Sequence, residues 1–451
     1  MKRLAVLNVV GLSRSLLGAH TPSMKAFAER HEIVDFPPAF PAVTCTAQST
    51  YLTGAPPSEH GVVGNGWYDR EGAEVKFWRQ SNRIVRGEKI WERLRRERPG
   101  FTCAKMFWWY NMYSSADWSV TPRPLYPADG RKVFDVHTHP MTMREEIKKD
   151  LGEFPFPSFW GPRAGIESSR WIAESAKWIE ERNSPDLNLV YLPHLDYCLQ
   201  KDGPDAPEVP VELAAIDAVV GELLDFFAQR EVEVALLSEY GISAVDQPVH
   251  LNRVFRKKGW LTVKDELGLE TMECGACRAF AVADHQVAHV YVNDPAIRGE
   301  VRAELEATEG VDEVREGAFG NGIGGERAGD FLAVAESNAW FTYYFWEDDA
   351  VAPDYARTID IHRKPGYDPA ELFIDPALCC PKLRVAKFLL KKKLGFRGLL
   401  DVIPLDASLV KGSHGRDDVP DGERPVLIGS LPVMPDNAES VHESIASFFR
   451  P

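Results

Sequence analysis

Apolar residues come in short runs set between amphipathic stretches, the pattern of a mostly parallel sheet covered by helices. Three runs mark strands, at residues 4–10, 187–192 and 232–237, and each meets a polar or glycine-bearing turn at once. Periodic amphipathic patterns predict helices over 21–30, 168–181 and 211–230, the last after a proline-rich loop at 201–210. Two stretches break the alternation. Residues 108–165 are dense in aromatics, proline and charge (Trp108, Trp109, Tyr110, Pro122, Pro124, Pro127, Pro140) and read as irregular insertion over the sheet rather than sheet itself. Residues 246–400 mix helices with strands such as 287–292 and 340–345 and read as a second insertion. The two insertions together are expected to form a cap on a single domain spanning 1–451.

Composition narrows the function classes. The 451 residues are 44% hydrophobic and 26% charged, ordinary for a globular chain. Lys plus Arg number 52 against 67 Asp plus Glu, a formal charge of −15, which argues against a nucleic-acid partner. An anionic small molecule stays open, because a bound divalent metal reverses the local field. No apolar run reaches the roughly 18–20 residues of a membrane span, and residues 4–10 are too short for the core of a signal peptide. The seven cysteines are odd in number and scattered, which suits a reducing compartment, so a cytoplasmic location is expected. Residues 382–397 are basic and periodic, and predict an amphipathic surface helix or a contact with a membrane surface or anionic partner.

In a parallel α/β sheet, ligands bind beyond the carboxyl ends of the strands. That rule selects Asn8, Val10 and Gly11 after the first strand, His194 and Asp196 after the second, and Ser238, Glu239 and Tyr240 after the third. Near the C-terminus, Lys411-Gly412-Ser413-His414-Gly415 puts a histidine on a tight turn. Asp196, Glu239 and His414 are oxygen and imidazole donors of the kind that hold zinc or manganese. Singly, each has a plainer role: a helix cap, a solvated or paired acid, a structural histidine. Upstream, an extended run from Phe36 to Val43 delivers Thr44 to a helical pattern. A hydroxyl at a helix N-terminus sits where backbone N–H groups favour an anion, so Thr44 can attack phosphorus or simply cap the helix.

The segments Phe40-Pro41-Ala42-Val43-Thr44, Thr53-Gly54-Ala55-Pro56-Pro57 and His60-Gly61-Val62-Val63-Gly64-Asn65 keep their order and spacing across residues 40–65. With Gly412-Ser413-His414-Gly415 they resemble the nucleotide pyrophosphatase/phosphodiesterase branch of the alkaline phosphatase superfamily. The resemblance implies a three-layer α/β/α sandwich around a mostly parallel sheet. It implies hydrolysis of a small phosphate ester or nucleotide-like substrate through a phospho-threonine on Thr44. Asn65 is then the donor to a non-bridging phosphate oxygen, and one or two divalent ions, zinc or manganese, are the cofactor.

The chain departs from the family pattern at the ligand positions. The family's aspartate at the end of the first strand is Val10, its S-D-H-G-M reads Ser238-Glu239-Tyr240-Gly241-Ile242, and the histidine four residues after the aspartate ligand is Gln200. The resemblance therefore leaves Thr44 and Glu239, with Tyr240 a poor ligand, for one ion, and Asp196 and His414, with Gln200, for the other. Three outcomes compete: a single metal, replacement ligands drawn from Asn8, His194, Asp284, His285, Asp360 and His362, or loss of catalysis. A retained but altered hydrolase is the favoured reading. The rivals are a phosphonate hydrolase or phosphoryl transferase on the same scaffold, and a lapsed enzyme that binds a phosphorylated metabolite. Trp108-Trp109-Tyr110-Asn111 can stack on a flat group or pack in the core, and 360–368 can reach the site or form a salt-bridged surface loop.

Overall fold

The structure is a computed structural model that describes residues 2–129, 131–317, 325–396 and 398–450. Its centre is an eight-stranded sheet in the order Glu32–Asp35, Val426–Gly429, Glu233–Leu237, Leu4–Val9, Leu187–Leu192, Cys103–Met106, Trp118–Pro122, Val136–His139. The five strands from Glu233–Leu237 to Trp118–Pro122 run parallel, and the strands outside them are joined by antiparallel pairings, with Val426–Gly429 and Val136–His139 reversed against the five. Every residue of Leu4–Val9 is buried, as a strand covered on both faces requires. Register sets Val9 beside Leu192 and Asn8 beside Leu237, so the segments that leave these three strands emerge next to one another.

Helices Ile166–Asn183 and Val209–Ala228 lie against this sheet. In the second, Pro210 occupies the first turn, where its missing N–H costs nothing, and Leu213, Ile216, Val220, Leu223 and Phe227 recur on one buried face. Burying side chains of this size contributes about 1.5–3 kcal/mol each. The predicted helices at 21–30, 168–181 and 211–230 fold as Pro22–Ala28, Ile166–Asn183 and Val209–Ala228.

Residues 108–165 differ from the sequence reading. They carry two strands of the central sheet, Trp118–Pro122 and Val136–His139, along with the helix Met143–Leu151. These strands are short, polar and ended by a proline, so neither shows a clean apolar run. Their pairing comes from neighbours distant in sequence, which override weak local propensity. Residues 246–400 hold a separate antiparallel sheet in the order Ala279–Asp284, Val287–Val292, Phe331–Ala335, Val311–Glu316, with its own buried cluster around Phe280, Tyr291 and Phe331. The basic segment 382–397 folds as Pro381–Lys393, and Arg397 lies outside the described residues.

Candidate active site

Val43 is extended and caps the helix Thr44–Thr53 without a side-chain hydrogen bond, so Thr44 is the first helical residue and not the cap. The helix is buried on all sides from Thr44 to Leu52. The Thr44 hydroxyl is 2.8 Å from the Tyr240 hydroxyl, which in turn donates to Asp196 Oδ1 at 3.2 Å. One turn on, Gln48 shares the face of Thr44 and donates to Glu239 Oε1 at 2.7 Å. Asn8, from the first strand, donates to the same oxygen at 2.5 Å. Trp109 closes this corner by donating its backbone N–H to Gln48 Oε1 at 2.7 Å.

Asn65 flanks the other side of the helix start. Its Oδ1 accepts from the Cys45 N–H at 3.0 Å, while its own N–H and Nδ2 donate to the two oxygens of Asp284 at 2.7 and 3.0 Å. Asp284 ends the strand Ala279–Asp284, and the next residue, His285, sits 2.8 Å from it through Nδ1. The His285 ring lies 3.8 Å from that of His414, which stacks on Tyr240 at 3.6 Å. His414 is fixed by its Nδ1 contact with the Ala42 carbonyl, 2.7 Å away. Its neighbour Gly412 passes so close to the Leu199 carbonyl that a Cβ there would stand 2.0 Å from that oxygen, which only glycine permits. That approach brings His414 Nε2 to 3.6 Å from Asp196 Oδ1.

All five residues of the central expectation, Thr44, Asn65, Asp196, Glu239 and His414, thus belong to one buried cluster. Gln200 and Tyr240 join it, Gln200 accepting from the Tyr367 hydroxyl at 2.8 Å. Of the six possible replacement ligands, Asn8, Asp284 and His285 reach the cluster. His194 instead contacts Glu212 at 2.8 Å, Asp360 donates its N–H to Glu371, and His362 sits 3.3 Å from the Phe77 carbonyl. The 360–368 loop contributes Tyr367, and its Lys364 is buried between Asp368 and Glu371, at 2.7 and 2.6 Å, not displayed on a surface. Trp108 and Trp109 are buried, with Trp109 packed 4.8 Å from Trp78.

Burial dominates the electrostatics. It pushes the Glu239 carboxyl up to about 8, against the opposing pull of the Gln48 and Asn8 amides, and Asp196 up to about 7, against Gln200 and Tyr240. Asp284 rises to about 6 for the same reason, offset first by the Asn65 N–H. Burial holds His285 and His414 well below the ordinary histidine range, so both imidazoles are neutral at pH 7.

A sequence model described as type I phosphodiesterase / nucleotide pyrophosphatase matches residues 4–368. The chain belongs to that family. An uncharacterized pyrophosphatase/phosphodiesterase of Schizosaccharomyces pombe is 27% identical over 259 residues, 53% of this chain and 46% of that protein. The chain spans about half the length of this curated relative. Among solved structures, Sinorhizobium meliloti phosphonoacetate hydrolase with phosphonoacetate superposes at a TM-score of 0.63 and 14% identity, covering 99% of this chain and 95% of that one. Inactive murine ectonucleotide pyrophosphatase / phosphodiesterase 5 with AMP gives 0.58 and 13%, covering 99% and 94%. At these identities the two structures show the fold, an alkaline-phosphatase-like α/β architecture.

Measured against the two-metal set implied by the family resemblance, the donors here are thin. Among the described residues no three His, Cys, Asp or Glu side chains are grouped to hold an ion. Around Glu239, Oε1 already accepts from two amides and the adjacent phenol is bonded to Thr44, while Oε2 is buried with no hydrogen-bond partner among the described residues, so this half offers a cation a single carboxylate oxygen. Asp196 and His414 are different. His414 Nε2 is buried with no hydrogen-bond partner among the described residues and lies beside a carboxylate oxygen, which fits one divalent ion. Sequence reasoning missed Gln48 and reached Tyr367 only as one residue of the 360–368 loop. Gln48 was signalled by its i+4 spacing from Thr44, whereas Tyr367 had no local signal.

Proposed function

We propose that this protein hydrolyses small phosphate esters through attack by Thr44 on phosphorus. The observation that carries the reading is the Thr44 hydroxyl, set at the first turn of a buried helix and hydrogen-bonded through Tyr240 to Asp196, in a chain of the phosphodiesterase family. In the first step the Thr44 Oγ1–P bond forms, the ester P–O bond breaks, and the leaving alkoxide takes a proton from solvent. The hydroxyl proton of Thr44 passes to Tyr240 as the Tyr240 proton passes to Asp196, the carboxylate that Tyr240 already donates to. In the second step water attacks phosphorus and gives up a proton to solvent, the Thr44 Oγ1–P bond breaks, Thr44 recovers its proton from Asp196 through Tyr240, and the phosphate departs.

The remaining side chains orient and stabilise. Asn65, held rigid by Cys45 and Asp284, has a second amide N–H to offer a non-bridging oxygen, and the positive end of the helix favours the same charge. Gln48 and Asn8 hold Glu239 in place beside Thr44 with neutral N–H groups. Asp196 and His414 are the residues to hold a single divalent ion, which when bound supplies Lewis acidity toward a phosphoryl oxygen. Zinc and manganese both match an oxygen-plus-imidazole donor pair.

The amide contacts on Glu239 also favour a second reading, in which the site binds a phosphorylated small molecule without turning it over. Hydrolysis of bis(p-nitrophenyl) phosphate and p-nitrophenyl phosphate by wild type and Thr44→Ala, with metal analysis of both proteins, separates the two. Turnover by wild type that vanishes in Thr44→Ala supports the first reading. Turnover that survives in Thr44→Ala removes it, and inactivity of wild type with every divalent metal tried favours the second.

A further inference from the structure

Pro381–Lys393 is the one α-helix, among the described residues, with no buried side chain. Its composition is as unusual as its exposure. Residues 381–396 contain six cations (Lys382, Arg384, Lys387, Lys391, Lys392, Lys393) and no acid, in a chain whose formal charge is −15. Arg384 pairs with Asp401, whereas the five lysines form no ion pair among the described residues.

The two faces of the helix are distinct. Val385 and Phe388 are partly buried, and Val385 packs on the small cluster of Ala370, Val402 and Ile403, which fixes the inward side. At 100° per residue, Leu383, Ala386, Leu390 and Leu394 then form a stripe on the outward side. Leu383 is 69%, Leu390 58% and Leu394 65% exposed, and Phe396, just beyond the helix, is 65% exposed. Lys387 and Lys391 border the stripe on one flank, Lys382 and Lys393 on the other.

We propose that this helix docks the protein on an anionic lipid bilayer, lying in the interface with its leucines at the acyl boundary. The lysine stems run along the apolar surface while their ammonium groups reach the headgroup phosphates. Charge complementarity selects this occupant. A nucleic acid would neutralise the lysines but leave the leucine stripe in water. A second copy would bury the leucines but bring the flanking lysines of both copies together. A negatively charged bilayer surface answers both features, and the acidic remainder of the molecule turns the basic helix toward it.

Flotation of the full chain with phosphatidylcholine vesicles, with and without one third phosphatidylserine, tests the proposal. The bound fraction is expected to rise about tenfold on the anionic vesicles and to fall in high salt. The Leu383→Glu/Leu390→Glu variant is expected to lose binding with an unchanged thermal midpoint, since both side chains are exposed. Equal binding to neutral and anionic vesicles, no binding to either, or full binding by the leucine variant overturns it. So does a dimer in solution that the leucine variant abolishes, or release of vesicles by an oligonucleotide at equal salt.

Discussion

The two sides of the candidate site have diverged by different rules. On the nucleophile side, Thr44 and Asn65 sit where the family motif puts them, and both are braced by backbone groups: the helix start, the Cys45 N–H and the Asn65 N–H to Asp284. On the cation side, the same scaffold presents Glu239, Tyr240 and Gln200: neutral donors from Asn8 and Gln48 hold Glu239 Oε1, Tyr367 holds Gln200 Oε1, and Glu239 Oε2 is left without a hydrogen-bond partner among the described residues. The comparison teaches that position and charge are separable. A sheet edge and a helix terminus keep a hydroxyl in place, while the charge balance around it is rewritten by a few side chains.

The sharpest way to break the comparison is to remove the hydroxyl. Thr44→Ala is expected to lower kcat for bis(p-nitrophenyl) phosphate by roughly 10⁴-fold or more while leaving the fold intact, because it removes one hydroxyl and one methyl from the helix start and leaves Tyr240 its bond to Asp196. Single-turnover assays with acid-quench detection of phospho-threonine check it, and a variant that still turns over places the nucleophile elsewhere.

Next in size is Asn65→Ala, with an expected loss of about 10²–10³-fold in kcat and little change in KM. Asn65 also anchors Asp284, so thermal denaturation of the same variant tells lost charge stabilisation from a disturbed hairpin. A proportional rise in KM at constant kcat would make Asn65 a binding residue only. A smaller effect, about tenfold, is expected for Tyr240→Phe, which keeps the ring stacked on His414 and deletes only the link between Thr44 and Asp196. Unchanged activity in that variant would leave Thr44 to lose its proton by another route.

What the sequence discloses follows the same division. Residues 40–65 form a contiguous motif, so Thr44 and Asn65 were legible together with the helix between them. The central strands were legible because each is an apolar run of five or six residues. The sequence offers Asp284 and His285 only as two of six possible ligands, and Tyr367 only as part of a loop able to reach the site; they come from the second sheet and the loop after it, and tertiary contact decides which of the candidates arrive. The strands at 118–122 and 136–139 were hidden for a related reason, since they are fixed by backbone pairing with strands that local periodicity does not show.

The smallest expected effect probes the cation side directly, through stability. Burial lifts the Glu239 carboxyl to about 8 in the folded chain, well above its ordinary 4.5. A carboxyl raised in this way lets the fold hold a proton that the unfolded chain releases, so wild type loses stability as pH climbs from about 4.5 to about 8 and no further above that. Glu239→Gln carries no such charge yet keeps an oxygen for the Asn8 and Gln48 amides. With chelator present, the thermal midpoint of Glu239→Gln minus that of wild type should therefore widen by a few degrees between pH 5 and 8 and then level off. Asp196 and the buried histidines titrate in both proteins and cancel in the difference. A gap that stays flat across this range would mean that Glu239 is ionised in the fold, its charge compensated by more than two amides, and the cation side would then resemble the nucleophile side in having kept its original electrostatics.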